Sequence, residues 1–254
     1  MTSANTTNMR SLDRAIDVLG VLQATKQPLR LSEIARLASL HVATTQRILG
    51  VLVERGYAAR AGDAYTAGPA ALAVAHAFVM TNPLSVLSQS TLQQLAVNTG
   101  FTASMYVRVE NSRVLIARVE TDKALNYVLP VGERLPLYLG GAGKTLLADM
   151  SAEQVDQILA DAGQITLASG AVVTRAELNA QLDKIRSDGY ALSISERQYG
   201  IASVTAPVRA PDDTLVGVLG ITGNANDFTD TRIAQLTPEV RRAATALGER
   251  LPAT

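Results

Sequence analysis

Ser32-Glu33-Ile34-Ala35-Arg36-Leu37-Ala38-Ser39-Leu40-His41-Val42-Ala43-Thr44-Thr45-Gln46-Arg47-Ile48-Leu49-Gly50-Val51-Leu52-Val53-Glu54-Arg55-Gly56 carries the decisive pattern of this 254-residue chain. Ser32 is a candidate N-cap, with Glu33 in the first turn and Ile34, Leu37 and Ala38 on the inner side of a short helix. Ser39-Leu40-His41 is a tight connection, and a second helix runs from Val42 to Arg55, closed by Gly56 in a left-handed position. At about 100° per residue, Thr45, Ile48, Leu49 and Leu52 fall on one face and turn inward. Ala43, Arg47 and Gly50 point the other way, with Thr44 and Gln46 on the flanks.

Working outward, Leu12, Ile16, Leu19 and Leu22 recur at helical spacing and place an earlier helix over 11–24. Pro28 breaks it. After Gly56, Tyr57–Arg60 and Ala64–Thr66 are β-prone runs separated by Ala61-Gly62-Asp63, which predicts a hairpin. Three helices with a tight second turn, followed by a hairpin, are the order of a winged helix-turn-helix. A DNA major groove suits the outer face of the 42–55 helix. Small Ala43 and Gly50 permit close approach, Arg47 can fork onto guanine O6/N7, and Gln46 can bridge adenine N6/N7. Thr44 and the free N–H groups of the helix start suit a phosphate. The expected DNA-facing set is Thr44, Thr45, Gln46, Arg47, Arg60 and Gly62 of the wing, Arg10 and Arg14 of the first helix, and His41 at the turn. Thr45 is included as a helix-start residue although the helical wheel turns it inward.

The charge distribution agrees. From Met9 to Asp63 there are eight basic and five acidic residues, a net of +3. The remainder has 23 − 8 = 15 basic and 23 − 5 = 18 acidic residues, a net of −3. A polyanion-facing front and a neutral or acidic rear are expected. The total balances at zero, with 18% charged and 47% hydrophobic residues, which excludes a disordered polyelectrolyte or a histone-like protein. Cysteine is absent and only His41 and His76 are histidines. That removes disulfides, thiolate zinc sites, cysteine nucleophiles and a histidine-rich metal cluster; no metal and no cofactor are expected. No apolar run reaches about 18 residues, and MTSANTTNMR carries no signal-peptide core, so a soluble, cytoplasmic chain with no membrane contact is expected.

Farther along, Pro69 opens an almost wholly apolar helix to about Thr81, stopped by Asn82-Pro83, and a helix over 84–98 ends at Gly100. The period then changes to two. Strands are predicted at 101–110, 113–120, 125–131, 190–195, 203–210 and 214–222, with helices at 142–149, 151–162, 174–188 and 229–251. Ser151…Gln154 and Thr174…Glu177 are capping boxes. Tight turns imply antiparallel neighbours and an α+β fold. The expected organisation is a disordered tail over 1–8, a winged helix-turn-helix over 9–68, a linker helix over 69–82 and a rear domain over 83–254.

Gly140-Gly141-Ala142-Gly143-Lys144-Thr145 imitates a phosphate loop. The true pattern needs a glycine at 138, which is Tyr138 here, and Pro136 is expected to interrupt any preceding strand. A nucleotide-binding enzyme using Gly141–Thr145 is one alternative; otherwise Lys144 is solvated or capping. The glycines expose amides at a helix start, a cradle for a small carboxylate. A second alternative is a sensor or adaptor whose helix-turn-helix binds protein rather than DNA.

These residues resemble the IclR family of bacterial transcription regulators from Met9 to Leu251. The resemblance rests on Arg10–Ala15, Leu31–Ala35, Ala43–Leu49 and Leu52–Tyr57 in the first part. In the second it rests on Arg134-Leu135-Pro136, Gly141–Lys144, Gly189-Tyr190, Glu196, Gly200-Ile201, Ala206-Pro207-Val208 and Gly223. It implies a GAF-like effector domain with a mainly antiparallel sheet behind the winged helix, and no catalysis. It further implies a homodimer or dimer of dimers on double-stranded operator DNA, repression of a catabolic operon, and a small-molecule effector. Carried over by position, the effector pocket would be lined by Gly141, Ala142, Ala124, Tyr127, Ser193, Ile201, Ser203, Gly220 and Thr222. Three departures stand out: Tyr138 replaces a frequent His, Ser193 a frequent acidic residue, and Ser203 a Cys found in some relatives. Hydroxyls in place of an acid suit a neutral or aromatic ligand as well as an anion, and Tyr127 can stack on a ring.

Overall fold

A computed structural model describes residues 9–121 and 129–252. The 1–8 tail, Ala124, Tyr127 and most of the expected 125–131 strand lie outside the described residues. The chain divides into two compact units, Met1–Met80 and Thr81–Thr254.

In the first unit α1 (Arg10–Ala24), β1 (Leu29–Arg30), α2 (Leu31–Leu37), α3 (Val42–Glu54), β2 (Ala58–Ala61), β3 (Ala64–Ala67) and α4 (Ala70–Thr81) follow one another. Val18, Leu22, Ile34, Leu49, Leu52, Ala58 and Tyr65 form its core. The helical spacing places these side chains on facing stripes, so three short helices and the hairpin close one small apolar cluster. α3 ends in two reverse bonds, Tyr57 N–H to Leu52 C=O (2.8 Å) and Gly56 N–H to Val53 C=O (3.0 Å). Gly56 takes φ +75° there, the left-handed exit that spares a Cβ clash. Gly68 is held for a different reason: a Cβ on it would lie 2.2 Å from the Gly56 carbonyl oxygen.

Two expectations are corrected. The α2 cap is Arg30, not Ser32, because the Glu33 carboxylate reaches back to accept from the Arg30 N–H at 2.8 Å. The wing is three-stranded in the order β1-β3-β2, with Leu29 opposite Tyr65 and Arg30 opposite Ala64. A two-residue strand is too short for any alternation to register.

The second unit contains α5 (Pro83–Thr99), β4 (Thr102–Val109), β5 (Ser112–Val119), β6 (Arg134–Pro136), α6 (Gly141–Ala148), α7 (Ala152–Ala162), β7 (Ile165–Thr166), β8 (Val172–Val173), α8 (Arg175–Asp188), β9 (Ala191–Ile194), β10 (Ile201–Arg209), β11 (Leu215–Asn224) and α9 (Asp230–Gly248). Asn82 caps α5 by accepting from Ser85 N–H at 3.1 Å, and both anticipated capping boxes are present. The main sheet is antiparallel throughout in the order β6-β5-β4-β11-β10-β9.

One face of this sheet presents Ala103, Met105, Ala202, Val204, Ala206, Leu219 and Ile221 to α5 and α9. The other meets α6, α7 and α8 through Tyr106, Leu115, Val218, Leu146, Leu147, Val155 and Leu182. The result is helices, sheet, helices. Pro136 does not interrupt a ladder as expected: β6 pairs with β5, Pro136 opposite Ser112, because β6 is an edge strand and a missing N–H is tolerated there. The β7–β8 pair, also unanticipated, is two residues per strand.

Candidate DNA interface and effector pocket

On α3 the side chains divide as a groove-reading helix requires. Ala43, Gln46, Arg47 and Gly50 are exposed, Thr44 is half-buried, and Ile48 rests partly on the core. Arg14 of α1 joins Thr44 and Arg47 along a shallow groove whose floor is Ala15, Ile48, Val51 and Leu52. Two guanidiniums and a hydroxyl lining one groove suit phosphates and base edges. Arg10 is exposed at the first turn of α1, outside that groove. His41 is exposed at the residue preceding α3. On the wing Arg60 is exposed, donates from Nη2 to the Tyr65 hydroxyl at 3.2 Å and lies 5.5 Å from its ring centre. Gly62 takes φ +65° at the hairpin tip.

Thr45 is the correction. It is 0% exposed, and its Oγ1 donates to the His41 carbonyl at 3.2 Å. It anchors the helix start from inside and cannot touch a base. Thr45→Val is expected to cost about 1 kcal/mol of stability and to leave DNA affinity within about twofold. Urea unfolding together with a DNA titration checks both; a loss of affinity at unchanged stability would restore Thr45 to the interface.

The second site is a cavity of about 60 Å³ between the sheet and the start of α6, open to solvent at its mouth. Its floor follows from strand pairing. Ser193, Ser203, Thr222 and Thr102 stand opposite one another in one cross-strand row over β9, β10, β11 and β4. Two residues along, Thr205, Gly220, Ser104 and Arg118 form the next row on the same face. Ser193, Thr102 and Ser104 are buried residues, Ser203 and Thr222 are half-buried, and all five line the pocket. Thr205 is satisfied by Thr145 Oγ1 at 3.1 Å. A Cβ on Gly141 would come 2.9 Å from Thr205 Oγ1 and 3.2 Å from Ser203 Oγ, so only glycine lets α6 sit this low over the floor.

The rim is charged. Arg113 and Arg118 both line the pocket although they are five residues apart, because the ladder slips at Met105/Tyr106 and Ile116 is the extra residue. Arg113 is buried. Burial lowers its pKa to about 10, opposed by Tyr106 and Glu196 and assisted by Arg197, so it remains charged at neutral pH. Its Nη1 holds the carbonyls of Pro136 (2.6 Å) and Leu139, fixing the approach to α6. Arg197 also lines the pocket, its pKa lowered by burial. Glu196 accepts from Gly140 N–H at 2.9 Å and pairs with the buried Lys144, whose Nζ also donates to Gln181 at 3.0 Å.

Lys144 is therefore neither solvated nor capping, as the sequence suggested, and its ammonium is committed to Glu196 and Gln181 rather than offered to a phosphate. Of the carried-over pocket residues, Gly141, Ala142, Ser193, Ile201, Ser203, Gly220 and Thr222 converge on one cavity. Sequence reasoning missed Thr102, Ser104, Thr205 and the arginines. The alternation Thr102-Ala103-Ser104 within an otherwise apolar strand was the available signal.

A winged helix-turn-helix with an exposed helix face, continued by a separate domain around a pocket, defines a DNA-binding regulator. Residues 11–62 match the IclR helix-turn-helix domain, and residues 76–249 match the bacterial transcriptional regulator IclR C-terminal domain. The chain belongs to the IclR family of DNA-binding transcriptional regulators, not to a family of enzymes.

It is 26% identical over 247 residues to the acetate operon repressor of Salmonella typhimurium, covering 96% of this chain and 90% of the relative. An IclR transcriptional regulator from Alicyclobacillus acidocaldarius has the same fold, with TM-score 0.82 and 22% identity over 94% of this chain and 97% of that one. So has an IclR homologue from Microbacterium hydrocarbonoxydans complexed with 4-hydroxybenzoate, with TM-score 0.77 and 18% identity over 94% and 97%. Among the described residues no single helix is long and apolar enough to cross a membrane.

Proposed function

We propose that this regulator is a repressor of a catabolic operon, released or modulated by a small organic or aromatic acid bound in the pocket over the β9–β10–β11–β4 floor. The observation that carries the effector reading is the two cross-strand rows of hydroxyls lining the pocket beside three guanidiniums: they offer donors and acceptors to a polar, acidic ligand. Solved and named relatives support the same direction, one bound to 4-hydroxybenzoate and another an acetate operon repressor. Arg47, Gln46 and Thr44 read the operator, while Arg10, Arg14, His41 and the wing at Arg60 and Gly62 hold phosphates.

The reading unit works as a homodimer or dimer of dimers. α4 is twelve residues of almost purely apolar sequence and buries none of them; Leu72 is 72% exposed and Phe78 39%. Leu12 and Ile16 of α1 are likewise uncovered. A helix of this composition needs a cover, and a second copy supplies one. Coupling runs through α4, the helix at the junction of the two units, so that ligand in the rear domain changes operator affinity.

A mobility shift on the duplex selected by the protein from a random pool tests this. Binding is expected to fall about a thousandfold between about 50 and 200 mM salt, from roughly six phosphate contacts per dimer. At least one carboxylic acid of a metabolite panel is expected to change operator affinity fivefold or more. Equal affinity with every acid rejects the effector reading; salt-independent binding rejects the interface.

A further inference from the structure

The two rows of the pocket floor say more than that a ligand binds. From this geometry we infer that the effector is a hydroxylated aliphatic carboxylate, a short hydroxy acid or sugar acid, rather than an aromatic one. This inference rests on the effector-site reading above. Ser193, Ser203, Thr222 and Thr102 line up across four adjacent strands, and Ser104 lies two residues farther along β4 on the same face. Neighbouring strands are about 4.8 Å apart, so consecutive hydroxyls of a row stand at about that spacing. A ligand hydroxyl seated between two of them donates to one and accepts from the other, since each serine or threonine can do both. A flexible carbon chain bearing several hydroxyls can place some of them along such a row.

The end of the floor is charged. Arg118 stands directly opposite Ser104, at the end of the second row, and Arg113 and Arg197 line the same cavity. Lys144 pairs with the Glu196 carboxylate and Glu120 with Arg118 (3.1 Å), which leaves the buried Arg113 as a positive charge at the rim without an ion-pair partner among the described residues. One carboxylate belongs at that end. An aromatic acid would satisfy the guanidiniums but would lay an apolar ring over the two hydroxyl rows. Sites built to hydrogen-bond a ligand hydroxyl discriminate strongly against an analogue lacking it. The apolar lining is Tyr106, Leu129, Ile201 and Ala142, with Tyr106 one row beyond Ser104 on β4.

The experiment uses the full-length protein and compares D-gluconate, L-tartrate and D-glycerate with 4-hydroxybenzoate and with uncharged D-sorbitol. Thermal shift is read first, then calorimetric titration. At least one of the three hydroxy acids is expected to raise Tm and bind at least tenfold more tightly than 4-hydroxybenzoate and sorbitol. Ser203→Ala with Thr222→Val is expected to weaken the bound hydroxy acid about a hundredfold, about tenfold for each hydroxyl removed. An aromatic acid that binds and shifts operator affinity while the hydroxy acids do neither overturns this inference and leaves the effector reading standing. No response to any acid overturns both. Undiminished hydroxy-acid affinity in the double variant also overturns it, since the floor would then not be the recognition element.

Discussion

Arg47→Glu is expected to abolish operator recognition, lowering affinity at least a hundredfold, while the protein remains as stable as before. The side chain is exposed on the outer face of α3, beside Arg14 and Thr44. Losing a bidentate contact to guanine costs about 1–3 kcal/mol, and placing a carboxylate against base-edge acceptors and phosphates adds repulsion. Surface substitutions away from packed features stay within about 0.5 kcal/mol in stability. The measurement is a titration on the selected duplex, paired with a melting curve. Arg10→Ala should act differently, weakening all sequences about equally and reducing the salt slope by about one. Retained specific binding by Arg47→Glu would show that α3 is not the reading helix.

The second large effect lies behind the pocket. Lys144→Met leaves the Glu196 carboxylate nearly buried with only the Gly140 N–H, and Gln181 loses its donor. Removing one partner of a buried pair costs about 3–5 kcal/mol. For a unit of this length each kcal/mol is worth about 2–4 °C, so Tm should fall by about 6–20 °C. Removing both charges, Lys144→Met with Glu196→Gln, is expected to recover most of that loss, because no uncompensated charge remains. Denaturant unfolding of the four proteins of the cycle gives the coupling directly. If the single and double variants are equally stable, the pair does not hold the 195–200 loop to α6.

These expectations differ in where their warrant arises. The reading helix was legible because helical periodicity alone divides α3 into an inward stripe and an outward one, and local spacing determines both. Thr45 shows the rule prevailing over a positional guess: the wheel turned it inward, and its hydroxyl is spent on the His41 carbonyl. The cap of α2 was misplaced because the Ser32 hydroxyl and the Glu33 carboxylate both suit helix starts, and only the observed bond to Arg30 N–H decides between them. Lys144 was misread for a related reason. Its partner Glu196 is 52 residues away, and no local pattern announces an ion pair across that distance.

The sequence by itself determined the order of the helices and the longer strands, the α+β class, the turns that make the strands antiparallel, and the face that α3 leaves exposed. All depend on neighbours within a few residues, where periodicity, caps and glycines act. Only the tertiary structure decided what the pocket is made of. Its hydroxyl rows exist because four strands that are not all consecutive in sequence pair in one register, and a one-residue slip would turn each of those hydroxyls to the opposite face. The bulge at Ile116 is such a slip, and it brings Arg113 and Arg118 to the same side. Register is a property of paired strands, and no single strand carries it.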